Sequence, residues 1–192
     1  MRFWQKVILC SLLVGNLLGT ANVWAISEFG ISGSVRNSTL NENTYNNTIS
    51  LTGSLSWYFL EMSAIEFSYT NGSKKDSYVR VGDTYPEIIR TTFEMYGLDL
   101  VFSFAGREDY FQPFIKGGVA KVKNLQYQKQ YGFSEALLAE VDGTAPSAGV
   151  GFRINLTKTF NFKCGVDAWY SPTNSTKKTI DYAGRAGISW FL

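Results

Sequence analysis

The chain has 192 residues, 18 Lys and Arg against 16 Asp and Glu, a net charge of +2 and no histidine. That length suits one domain with one core, and near-neutrality leaves no basic footprint for nucleic acid. Without histidine there is no imidazole general base, and metal sites lose their favoured ligand.

Residues 1–25 read as a signal peptide. Arg2 and Lys6 give a basic start, Val7 to Thr20 an apolar stretch, and Val23-Trp24-Ala25 a cleavage site. The apolar stretch is interrupted by Asn16 and falls short of the roughly 20 residues that span a bilayer. Cleavage after Ala25 leaves residues 26–192 as one domain, with 18 − 2 = 16 bases against 16 acids. Cys10 goes with the leader and Cys164 stays, so an intramolecular disulfide is excluded.

The rest alternates with a period of two, the signature of strands with two unlike faces. A first strand is expected at 28–36, with Phe29, Ile31, Gly33 and Val35 on one side, then an Asn-rich loop at 37–47. The clearest run is Thr48 to Phe59, where Ile49, Leu51, Gly53, Leu55, Trp57 and Phe59 alternate with polar residues and Tyr58. It exceeds the usual strand of about 5–6 residues and suits a tilted membrane strand of about 9–11 plus an end. A tight turn near Glu61 leads to a strand at 64–70, followed by a long polar loop at 71–86. In the fourth strand, 88–104, Phe93 and Met95 hold one parity while Leu98, Leu100, Phe102 and Phe104 hold the other, so a bulge near Gly97 is expected. Strand five is expected at 112–123, and 124–145 as the longest loop, with Ser134 able to cap a short helix over EALLAEV. Strands at 147–155 and 160–170 flank a tight turn, and loop 171–178 precedes the last strand, Ile180 to Leu192.

Eight strands with alternately short and long connections predict an all-β, antiparallel, up-and-down transmembrane barrel, with short periplasmic turns and longer outer loops. If the chain crosses a membrane it does so as a closed barrel, because an open sheet edge cannot sit in lipid. The stretches DYFQPFIKGGVAKVKN and APSAGVGFRINLTKTFNFKCGVDAWY resemble the middle strands of small bacterial outer-membrane barrels, the group of OmpA-type membrane domains and OmpX- and OmpW-like proteins. The final strand, with Arg185, Gly187, Trp190 and Leu192, resembles the C-terminal signal by which such barrels are recognised for assembly, Leu192 standing where an aromatic is commonest. The resemblance implies a Gram-negative outer membrane and contacts with its lipid, with lipopolysaccharide and with the barrel-assembly machinery. It marks the fold far more than the function.

Alternation alone does not say which face points in, since a soluble lipocalin-like barrel keeps its apolar side inside. Aromatics near strand ends favour apolar-out. Trp57, Phe59, Phe104, Phe160 and Trp190 gather toward one interface, and Tyr69, Tyr170 and Tyr182 toward the other. The inward parity then carries Glu66, Glu94, Lys116, Arg153, Lys163, Asp167, Asp181 and Arg185. An eight-stranded interior is just wide enough for side chains to fill it, so these charges read as a paired polar plug. A charged ion path is the sharper alternative. The expected protein is a monomeric, non-enzymatic barrel with no cofactor and no metal. Its role is structural or surface-interacting, with loops 71–86 and 124–145 as the contact regions. The alternatives are a passive channel for small or hydrophobic compounds, as the OmpW-like resemblance implies, and a soluble periplasmic barrel.

Overall fold

A computed structural model describes residues 26–41, 44–78, 87–129, 136–171 and 179–192. The leader at 1–25 and Ser134 lie outside the described residues. Eight strands form one closed antiparallel barrel in sequence order. They are β1 (Ile26–Asn41), β2 (Thr44–Leu60), β3 (Ser63–Tyr78), β4 (Glu87–Ser103), β5 (Phe111–Lys129), β6 (Ala136–Asn155), β7 (Phe160–Ser171) and β8 (Thr179–Phe191).

The ladder fixes the barrel's shape. Following Cα partners from Phe191 through Glu28, Ser56, Glu66, Asp99, Gly118, Ser147 and Trp169 leads to Asp181, back on β8 and displaced by 191 − 181 = 10 residues. Eight strands with a shear of ten tilt by roughly 40° and leave an interior that side chains can fill.

The two faces differ as the alternation predicts, with the apolar one outside. Phe67, Leu100 and Val150 are 55%, 61% and 59% exposed, while Glu66 and Arg153 on the inward parity are 2% and 1% exposed. The outward apolar run from Ile49 to Trp57 rises about 27 Å along its strand at roughly 3.4 Å per residue, or about 20 Å along an axis from which the strand tilts by about 40°. This is the inverse of a water-soluble barrel.

Several sequence expectations are corrected. No bulge occurs at Gly97, because the β3–β4 and β4–β5 registers run through it without a shift. Phe93 and Met95 are apolar residues pointing inward, and the space for Phe93 comes from Gly72, where a Cβ would collide with the Phe93 ring. Strand extends into the loops expected at 37–47, 71–86 and 124–145, taking in 37–41, 44–47, 71–78, 124–129 and 136–145, while 42–43, 79–86 and 130–135 lie outside the described residues. The segment EALLAEV is no helix from Ala136 onward but the start of β6, paired with β5 across Gln128↔Ala136. Cross-strand pairing supplies backbone partners that a lone helical turn would lack.

Candidate functional site: the filled lumen

At the end with the short turns, Arg153 on β6 is the hub of a buried floor. Its guanidinium donates to Glu28 Oε2 on β1 (2.7 Å), to the Tyr58 hydroxyl on β2 (2.5 Å) and to Gln112 Oε1 on β5 (2.7 Å). Tyr58 in turn donates to Glu28 (2.5 Å). The Arg153 Cζ lies 5.4 Å from the Phe191 ring centroid, so Phe191 closes the floor from β8. Gln112 also reaches down, donating to the carbonyls of Arg107 and Asp109 at 2.7 and 3.1 Å, and Asn155 donates to the same two carbonyls. The 104–110 turn is thereby tied beneath the barrel, with Arg107 Cζ 5.9 Å from the Phe191 ring centroid. Charge-assisted hydrogen bonds of this kind are the strong ones, and here four strands must be in place to make them.

Above the floor lies a second network. Glu66 on β3 receives Lys163 (2.6 Å) and Lys116 (3.1 Å), and the Ser56 hydroxyl donates to it at 3.2 Å. Lys116 also meets Asp167 at 3.1 Å and Asp99 at 3.7 Å. Asp167 continues to Arg185 at 3.1 Å, and Asp99 accepts from Ser147 at 2.7 Å. The two networks together pair Glu28, Glu66, Asp99 and Asp167 with Lys116, Arg153, Lys163 and Arg185, acids and bases in equal number. Each charge in this low-dielectric space has a counter-charge, which is the condition for burying it. Gly149 makes room for them: a Cβ there would run into Asp167 and the Lys116 stem.

A cavity of about 40 Å³ beside this network is lined by Thr52, Ser54, Glu66, Lys116, Lys163 and Arg185, among others. That is room for a few waters and no more. On the loop side the lumen is closed by an apolar collar of Met95, Ala120 and Val122, against which Trp169 packs. On the floor side Tyr58, Ala64, Val101 and Phe114 form a second apolar cluster with Phe191.

Of the lumen residues read from the sequence, Glu66, Lys116, Arg153, Lys163, Asp167 and Arg185 meet in these contacts. Glu94 does not, for it sits on the outward parity opposite Lys123. Its placement among the inward charges depended on the bulge that is absent. Asp181 shares the inward row, opposite Trp169, and makes none of these contacts. Glu28, Asp99, Tyr58 and Gln112 went unread. Glu28 and Asp99 do alternate with Phe29 and Ile31, and with Leu98 and Leu100, so the parity signal was there; Gln112 opens the QPF stretch.

Aromatics band the outside. At the turn end Trp190 lies 6.2 Å from Phe29 and 5.5 Å from Phe160, and Phe102 lies 5.4 Å from Phe104. At the loop end Tyr69 and Tyr96 are 5.0 Å apart. Beyond them the outward face turns polar, with Lys121–Asp142 and Lys123–Glu140 ion pairs at 3.4 and 3.1 Å. The hydrogen bond and charge of Glu140 hold the Lys123 ammonium above its ordinary pKa.

This geometry has counterparts among solved structures. The N-terminal β-barrel domain of Pseudomonas aeruginosa OprF is 14% identical, covering 88% of this chain and 97% of its own, with a TM-score of 0.56. The chain has the fold of the small eight-stranded outer-membrane barrels. Neisserial surface protein A is similar at 11% identity, 86% and 96% coverage and a TM-score of 0.57. So is the outer membrane protein OprG of P. aeruginosa, at 12%, 87% and 94%, and 0.52. No family model matches the sequence, and no curated protein matches it significantly.

Proposed function

We propose that this protein is a non-enzymatic barrel of a Gram-negative outer membrane, with a structural or surface-interaction role carried by its loop end. The observation that carries this reading is the closed barrel with apolar side chains outside and paired charges inside. Hydrocarbon is the solvent that favours such an outer face, and closure satisfies the backbone there. The aromatic bands support two membrane interfaces, with lipid and lipopolysaccharide as the surrounding partners. The short turns then face the periplasm, and the barrel works as a monomer delivered by the assembly machinery.

The two apolar clusters and the ion-pair network favour a plug over an open channel. Two measurements test this. Membrane fractions run unboiled and boiled on a denaturing gel should show a folded band of different mobility in the outer-membrane fraction; recovery in the soluble fraction overturns the assignment. Purified barrel in a planar bilayer should show no steady conductance, and conductance abolished by lumen substitutions would favour the channel instead.

A further inference from the structure

The floor carries more polar groups than its direct contacts satisfy. Asn161 on β7 and Ser189 on β8 are each 0% exposed and stand side by side across the β7–β8 ladder. Neither end of the Asn161 amide, nor the Ser189 hydroxyl, has a hydrogen-bond partner among the described residues. Turning the Asn161 amide over changes nothing, because both of its ends lack partners. Asn155, the neighbour of Asn161 on β6, donates through Nδ2 to the Arg107 and Asp109 carbonyls and is left with an unpartnered Oδ1. Glu28 accepts from Arg153 and Tyr58 on Oε2, while its Oε1 has no partner. The Ser189 hydroxyl faces this carboxylate without bonding to it.

Buried atoms of this kind lose their bonds to water on folding, and each carries that cost until another partner takes its place. The arc itself sets the chemistry of that partner. Asn161 needs both a donor and an acceptor, while Glu28 Oε1 and Asn155 Oδ1 need donors. The charge of Glu28 is already met by Arg153, so the partner is neutral. It is also small. Gly30, which pairs with Ser189, lines the cavity of about 40 Å³ together with Ser54, Lys163 and Glu66. A Cβ on Gly30 would meet Ser54 Oγ at 2.7 Å, so the glycine keeps this side of the cavity open. Water meets all of these conditions, in a place that is polar and has room beside it.

We propose that the arc of Glu28, Ser189, Asn161 and Asn155 is a binding site for ordered water, continuous with the cavity above it. The water accepts from Asn161 Nδ2 and donates to Glu28 Oε1 and to the side-chain carbonyls of the two asparagines. Such bridges are nearly as favourable as direct hydrogen bonds. Through the cavity they join the floor around Arg153 to the ion pairs around Glu66, so the plug is one hydrated unit. The site stands on lumen side chains and does not depend on the surface-interaction reading.

The full-length barrel in detergent tests this. Isotope-labelled wild type should show water cross-peaks at the Asn161 side-chain amide, with opposite NOE and ROE signs, the mark of held water. The peak is assigned by its loss in Asn161→Val, a change that differs little in volume and suits a strand. Asn161→Val should lower the denaturant midpoint, because the water loses its central partner. A dry amide predicts the reverse, since the apolar residue would remove an unpaired polar group. Ser189→Ala should also lower the midpoint, and the double variant should lose less than the sum, because both side chains hold the same water. Should Asn161→Val give no folded band on an unboiled gel, Asn161→Ser assigns the peak and Ser189→Ala carries the stability test. An absent cross-peak, a midpoint raised or unmoved by the substitutions, or a fully additive double variant overturns the proposal. So does a wild-type midpoint that rises in sodium over potassium chloride at equal ionic strength, which would mark a cation site.

Discussion

Arg153 shows most clearly what single residues do in this barrel. It is 1% exposed and bonded to residues from three other strands, so its removal strands Glu28 as a buried charge. Breaking a buried pair from one side typically costs about 3–5 kcal/mol. Arg153→Met should therefore lower the temperature at which the folded gel band converts to the unfolded one. The double variant Arg153→Met with Glu28→Gln should recover part of the loss; equal melting of wild type and Arg153→Met would show the floor to be dispensable. Gly149→Val is predicted to be destabilising by overpacking, about 1–3 kcal/mol, because the added atoms displace Lys116 and Asp167. Denaturant midpoints in detergent check it, and an unchanged midpoint would mean the network can move aside. At this scale the sequence was legible where alternation was unbroken, as for Glu66 and Arg153. It misled at Glu94, because Phe93 and Met95 look lipid-facing by type yet serve as the collar inside. Hydrophobicity names a side chain's solvent only when one face has one solvent, and this lumen has apolar and polar layers.

Among the elements, β8 bears the most, since it closes the barrel by a ladder of only six residues, Glu28–Gly33 with Ala186–Phe191. Trp190 stacks outside on Phe29, Phe191 packs inside against Tyr58, and the Leu192 amide donates to the Ser27 carbonyl at 2.7 Å. Deleting Trp190 to Leu192 removes two of those six pairs together with the Leu192–Ser27 hydrogen bond and both aromatic contacts. The expected outcome is export across the inner membrane with no folded band in the outer membrane; normal outer-membrane levels would refute the role given to the C-terminus. Strand existence and order could be read from the period of two. Strand ends could not, because β2, β3, β5 and β6 continue past the apolar band as polar strands. There Asn, Ser, Thr and Lys read as loop, although cross-strand pairing holds them extended.

The whole molecule inverts the usual distribution of solvents, and this inversion decides what a surface charge costs. Leu100→Arg, in the middle of the outer face, should destabilise by about 2–4 kcal/mol, whereas Thr144→Arg beside Lys121 at the upper border should cost at most about 1 kcal/mol. Reversible unfolding in vesicles measures both, and equal costs would contradict a depth-graded environment. The most direct measurement places a spin label on Leu100→Cys and, separately, on Thr144→Cys, each in a Cys164→Ala background in bilayers. Collision with oxygen, which concentrates in hydrocarbon, is compared with collision with a water-soluble nickel chelate. The account predicts that oxygen dominates at position 100 and the chelate gains at position 144. Free access of the chelate to position 100 would contradict it, for the outer face would then be in water.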